Sequence, residues 1–175
     1  MRGVPSRYDE AIQQKKFLGG CFCREARHRN DEENMKIEET EKEIIGEFSL
    51  FDDWMGKYEH IIETGRSLPL IEDKYKTDDR LIKGCQSKVW LRSELKGGAV
   101  IFTADSDAII TKGLVALVVR VLSRHTPDEI VNAKMEFVEK IGLKEHLSPT
   151  RANGLVNMIK QMKLDALALK AKVNS

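Results

Sequence analysis

From residue 35 onward, the apolar positions switch between helical and strand-like spacing. Ile37, Ile44, Ile45, Phe48 and Phe51 recur at helical intervals with Glu and Lys between them, which predicts an amphipathic helix that packs by one face. Asp52 and Asp53 interrupt it and can cap a second helix. That helix carries the stripe Trp54, Met55, Tyr58, Ile61 and Ile62, with a C-cap expected at Gly65. Leu68-Pro69-Leu70 reads as extended, because proline pushes the preceding residue out of the helical region. Tyr75 to Arg80 is charged and aperiodic, a surface loop.

The spacing then changes. After the short apolar pair Leu81-Ile82, Lys88 to Glu94 holds β-prone residues in partial alternation, with Trp90 expected in the core. Gly97-Gly98 supplies a turn and Ala99 to Thr103 a second strand, so a small antiparallel sheet is predicted. Asp105-Ser106-Asp107 offers N-cap groups to Ala108–Leu122, which is apolar nearly all round with Gly113 inside. Such a segment suits a central buried helix covering the sheet. Thr126-Pro127-Asp128-Glu129 is a helix start. Phe137, Val138 and Ile141 make a short helical piece that Gly142 stops. Ser148-Pro149 repeats the start signal for a long amphipathic helix through Leu155, Met158, Ile159, Met162 and Leu167. The pattern therefore predicts an α+β fold, a small antiparallel sheet packed against several helices.

Residues 1–34 share none of this periodicity and read as an appended N-terminal extension, disordered or not native, before one domain over 35–175. Met35 is the expected native start. Cys21-Phe22-Cys23 followed by His28 is too closely spaced and too short of ligands for a zinc site. Six acidic residues and the lack of an apolar run argue against a targeting peptide.

Composition narrows the function. With 29 basic and 28 acidic side chains the formal net charge is +1, so no global field draws in nucleic acid or an anionic membrane. The longest apolar run, Ala108 to Leu122, is too short for a membrane span and carries Lys112 and Arg120. Three cysteines do not build a disulfide framework and point to a reducing compartment, the cytoplasm.

Cys85 is the only cysteine after residue 23. It is either a small buried apolar residue or a reactive thiol. Gly84 before it permits close backbone approach, and Gln86 and Ser87 offer hydrogen-bonding groups. Lys83 and Lys88 flank it and are expected to favour the thiolate. His60, His125 and His146 do not converge on it in sequence, and no metal site is expected.

Four blocks, in order, carry a resemblance. Trp54 with Lys57-Tyr58, Ile61-Ile62, Gly65 and Leu68-Pro69 comes first. Leu81-Ile82-Lys83-Gly84-Cys85-Gln86-Ser87-Lys88-Val89-Trp90-Leu91 is the most specific. Ala104-Asp105-Ser106-Asp107-Ala108 with Lys112-Gly113-Leu114, and His146-Leu147-Ser148-Pro149-Thr150-Arg151-Ala152-Asn153-Gly154-Leu155, complete it. From about Trp54 to Ala168 the chain resembles the SufE family of cysteine-desulfuration proteins, with the SufE/IscU-like α+β fold.

The resemblance implies a sulfur acceptor. The position matching Cys85 would take persulfide sulfur from a SufS-type cysteine desulfurase, stimulate that enzyme, and pass the sulfur to an iron-sulfur scaffold complex. No cofactor of its own is implied, since pyridoxal phosphate belongs to the desulfurase. Lys83, Gly84, Gln86, Ser87, Asp105, Asp107 and Arg151 would then contribute to partner docking or to the surroundings of the cysteine. The alternative is an IscU-like cluster scaffold or metal-binding protein, which needs three or four ligands where the patterned region offers one cysteine. A free-standing thiol oxidoreductase would need a Cys-x-x-Cys pair or a resolving cysteine.

Overall fold

The computed structural model describes residues 36–173. The expected extension over residues 1–34 and the expected start at Met35 lie outside them. Helix α1, Ile37–Phe48, buries Ile37, Ile44 and Phe48 on the face its spacing predicts. Phe51 falls beyond its end and packs its ring against His60, with centroids 5.2 Å apart. Helix α2, Trp54–Arg66, starts as predicted, with the Asp53 carboxylate accepting from Gly56 N at 2.7 Å.

Its expected end at Gly65 is wrong. Gly65 lies inside α2, buried, and Ser67 is the C-cap. The glycine is there for contact with helix α3, Ile109–Leu122. A Cβ on Gly65 would lie 2.9 Å from Gly113 N, and one on Gly113 would lie 2.1 Å from Ile61 O. Two bare backbones meet where α2 crosses α3, and no side chain fits between them.

Strands β1, Val89–Lys96, and β2, Ala99–Ser106, form an antiparallel hairpin with Val89 opposite Ser106 and Lys96 opposite Ala99. Both turn glycines have positive φ, 58° at Gly97 and 85° at Gly98, the geometry that matches hairpin twist. Trp90 is a second correction: it is half-buried, since Val89 and Leu91 take the core face and alternation turns Trp90 to the other. Asp105 and Ser106 are a third. They belong to β2, and α3 begins after Ala108 with no side-chain cap.

The hairpin gains single bridges on its flanks. Ala104 N donates to Pro69 O at 3.0 Å, Leu81 bridges Trp90, and Val100 N donates to His125 O at 2.8 Å. The loop predicted over Tyr75–Arg80 contains the 3-10 turn Asp78–Arg80, and another, Asp73–Tyr75, leads into it. Short helices α4 (Pro127–Asn132), α5 (Phe137–Lys140) and α6 (Leu143–His146) follow, with Gly142 in the left-handed region between the last two. Thr126 and Glu129 form a capping box on α4. Helix α7, Pro149–Val173, packs against α4, α3 and β1.

Helix α3 is the centre. Leu114, Val115, Leu117, Val118, Val121 and Leu122 are at most 1% exposed, and α2, β2, α7 and α1 all pack on it. Each such side chain contributes roughly 1.5–3 kcal/mol when fully buried. The one long cation of α3 near its end, Arg120, reaches out to α1, donating to Glu47 at 2.8 and 2.9 Å and to Glu43 at 3.4 Å. His60 Nε2 of α2 lies 3.3 Å from the same Glu47. Burial pushes the Glu47 carboxyl up, but the hydrogen bonds from His60 and Arg120 outweigh it and hold it at about 2.

Two outcomes are expected. Gly113→Ala forces α2 and α3 apart, so chemical denaturation should show a loss of about 1–3 kcal/mol or more. Because the folded pKa of Glu47 is depressed, its contribution is present above the unfolded carboxylate value and is lost as pH falls towards about 2. Glu47→Gln should therefore flatten the fall in melting temperature between about pH 5 and pH 2.

Candidate functional site

Cys85 is the one free cysteine among the described residues, and it is half-buried. Its loop is anchored at both ends. Ile82 N donates to Val89 O at 2.9 Å, closing the base where the chain enters β1. At the exit, Lys88 N donates to the Asp107 carboxylate at 3.0 Å and Asp107 N donates back to Lys88 O at 3.3 Å. The Thr111 hydroxyl of α3 donates to Ser87 Oγ at 3.4 Å.

Between these anchors the tip leans on α7. The Cys85 thiol points at Gly154 O, 3.6 Å from Sγ, and Asn157 Nδ2 donates to Gly84 O at 3.1 Å. Gly84 has φ +79°, and a Cβ there would lie 2.5 Å from Asn157 Nδ2. Its lack of a side chain serves both the left-handed turn and the close approach of α7. Gly154 is buried under the sulfur, where an added Cβ would sit 3.6 Å from Sγ. The sulfur side of Cys85 packs against the apolar core.

Burial raises the thiol pKa. This corrects the expectation that Lys83 and Lys88 favour the thiolate. Both lysines are exposed, and burial alone drives the shift. Cys85 turns inward to the core while its charged neighbours turn to solvent, so adjacency along the chain brings no charge to the sulfur.

The other predicted residues divide. Asp107, exposed, joins the loop by gripping Lys88. Asp105 does not reach the thiol. It is buried and takes Lys76 and Lys112 at 2.8 Å each, with Ser106 N donating to it at 2.9 Å. Burial pushes the Asp105 carboxyl up, but Lys112 and Lys76 outweigh it and hold it below the usual carboxylate range. It thereby pins the turn that carries Asp107. Gln86 and Lys83 are exposed. Arg151 is exposed on the first turn of α7, and its side chain has no hydrogen bond or ion pair among the described residues. It stands one turn before Gly154. Beside the loop lies an open cleft of about 520 Å³, lined by Arg80, Lys83, Asn157, Lys160, Gln161 and Leu164, among others.

A family model described as "SufE: Fe-S metabolism associated domain" matches residues 42–166. The chain is 39% identical over 129 residues to an uncharacterized SufE-like protein of Rhizobium meliloti, covering 71% of this chain and 92% of that one. It is 37% identical to an uncharacterized SufE-like protein of Synechocystis, covering 71% and 79%. The chain belongs to the SufE family. An Arabidopsis thaliana relative, "SufE-like protein 1, chloroplastic/mitochondrial", is 38% identical over 75% of this chain, and the match spans 36% of that longer protein. The solution structure of a hypothetical protein from Thermus thermophilus has the same fold, with a TM-score of 0.63 at 17% identity over 78% of this chain and 97% of that one.

Sequence reasoning about this SufE domain passed over the two α7 residues that hold the loop. Gly154 stood in a recognised block but carries no side-chain chemistry. Asn157 gave no signal at all, because its partner is a backbone carbonyl 73 positions earlier. The histidines stay apart from the thiol: His60 faces Glu47, His146 stacks on Trp54 at 4.0 Å, and buried His125 lies 3.9 Å from Glu129. Among the described residues, no group of three or more His, Cys, Asp or Glu side chains is placed to hold a metal, and no helix is long and apolar enough to cross a membrane.

Because burial penalises the thiolate, Cys85 should react with iodoacetamide more slowly at neutral pH than the same residue in the urea-unfolded chain. Its rate should climb at higher pH than that of the unfolded thiol. Peptide mapping across a pH series checks this and separates Cys85 from Cys21 and Cys23.

Proposed function

We propose that this SufE-family protein is a sulfur acceptor that takes persulfide sulfur from a cysteine desulfurase on Cys85, stimulates that enzyme, and passes the sulfur on for iron-sulfur cluster assembly. The observation that carries this reading is the setting of Cys85. It is a thiol on a short loop, fixed at both ends and lightly held in the middle, with its sulfur turned inwards against apolar side chains. Such a loop can present sulfur to a docked partner and withdraw it afterwards.

The chemistry is thiol exchange. The Cys85 thiolate attacks the outer sulfur of the partner's persulfide, and a new S–S bond forms on Cys85. The old S–S bond breaks, and the partner's cysteine leaves as a thiolate. No electrons are gained or lost overall, so no oxidant or reductant is needed. Deprotonation is the demanding step, since burial disfavours the thiolate in the free protein. Docking that moves the sulfur out of its apolar seat would remove that penalty.

Under this reading the protein is a carrier and activator and not itself an enzyme, and pyridoxal phosphate stays with the SufS-type desulfurase. Asp107 and Arg151, exposed charges of opposite sign, suit the docking surface together with Lys83, Gln86 and Ser87. Gly84 supplies the turn, and Asp105 steadies Asp107 from behind. A scaffold complex receives the sulfur, and we assign the process to a reducing compartment, the cytoplasm. A cluster scaffold would need a set of ligands around Cys85, whereas the thiol and the glycine before it meet backbone and amide groups of α7.

The test is to incubate the protein with a cysteine desulfurase and cysteine, then map peptides under non-reducing conditions. The peptide carrying Cys85 should gain the mass of one sulfur atom, and desulfurase turnover should rise. In a folded Cys85→Ser variant both should disappear. Sulfur retained elsewhere in that variant, or undiminished stimulation by it, would overturn the assignment.

A further inference from the structure

The tip of the Cys85 loop, residues 83–86, is held to the body by little. Its ends are secured by Ile82 with Val89 and by Lys88 with Asp107. Among the described residues, the hydrogen bonds that tie the tip itself to α7 are Asn157 Nδ2 to Gly84 O and the thiol to Gly154 O. They are unequal. The second spans 3.6 Å from a weak sulfur donor to a carbonyl inside a helix, whereas the first is a normal amide bond at 3.1 Å. The hold on the resting loop therefore rests mainly on one side chain.

We propose that Asn157 is the latch of this loop: its amide keeps the Cys85 sulfur seated on α7, and breaking that bond frees the tip to carry the sulfur outwards. The inference rests on the reading of Cys85 as the sulfur acceptor. Asn157 is a positioning residue and takes no part in the transfer.

Three features make the latch workable. Asn157 and Gly154 stand three residues apart on α7, so they share a face and one helix presents both seats. Gly84, at φ +79° and without a Cβ, is the residue of the tip best able to change backbone conformation, and it carries the latched carbonyl. The amide also opens on the cleft that Lys83 and Lys160 line. A partner lying in that cleft reaches Asn157 without disturbing the core, and the anchors at Ile82 and Lys88 can stay closed while the tip swings.

The experiment uses the full chain and two variants. Asn157→Ala removes the side chain beyond Cβ, while Asn157→Leu keeps its approximate bulk and replaces the amide with apolar groups that cannot donate to Gly84 O. Alkylation of Cys85 by iodoacetamide is followed by peptide mapping from pH 6 to pH 10, a range of roughly two units either side of a thiol's usual pKa. Ile44→Val, a buried methyl deletion in α1, is the control for general destabilisation.

Both Asn157 variants should alkylate roughly fivefold faster at neutral pH, the scale of one lost net hydrogen bond. Their rate profile should also shift to lower pH, while the control keeps the wild-type profile. Wild-type rates in Asn157→Leu, or equal acceleration in Ile44→Val, would overturn the latch. Alkylation needs no desulfurase, so the two readings fail separately. Faster alkylation in the variants, beside a wild-type chain that accepts no sulfur, would leave the latch and remove the acceptor. Unchanged alkylation in variants that accept sulfur normally would do the reverse.

Discussion

Helix α3 has to be covered on every side. Its residues from Leu114 to Leu122 are buried apart from Arg120, so it cannot lie on the surface of anything. The hairpin covers one side, α2 another, and α1 and α7 the rest. The contact with α2 is so close that it excludes even a methyl group at Gly113. The remaining architecture is a shell built to that requirement. Arg120 escapes it by reaching past the edge to Glu43 and Glu47, which ties α1 down electrostatically where apolar contact ends.

The site is a by-product of that shell. β1 and α7 pack against each other beside α3, and the loop that enters β1 must pass over the first turns of α7. This places Cys85 above Gly154 and Gly84 beside Asn157. The start of α3 lies under the exit of the same loop, so Asp107 and Thr111 grip Lys88 and Ser87. A rigid buried helix thus fixes both ends of a tip whose own contacts are few. Stability and reactivity are kept apart: strong packing holds the frame, and weak polar contacts hold the sulfur.

Burial sets the thiol's character. With no charge among the causes to offset it, desolvation raises the thiol pKa and favours the protonated form of the resting sulfur. In the proposed role of sulfur acceptor that state is an advantage, since an exposed thiolate or persulfide would be open to reductants and stray electrophiles. Membership of the SufE family, whose model is described as an Fe-S metabolism associated domain, accompanies a half-buried cysteine on the loop that enters β1.

Most of the helices, the hairpin and the family were legible in the order of residues. Apolar spacing gave the amphipathic helices, the Gly97-Gly98 hairpin and the buried Ala108–Leu122 segment, because periodicity reports directly on which face meets the core. The four blocks around Cys85 gave the family and the candidate reacting residue. What escaped the sequence was decided by contacts between distant positions. Gly65 read as a helix end because glycine usually is one, and only the crossing with Gly113 shows why it stands inside α2. Lys83 and Lys88 looked like activators by adjacency, yet residues close along a chain can point apart. Asn157 and Gly154 were invisible as partners of the cysteine loop, since a bond to a backbone carbonyl leaves no mark on the identity of the residue that accepts it. The tertiary structure alone decided how the sulfur is held, because that depends on which helix face passes beneath the loop.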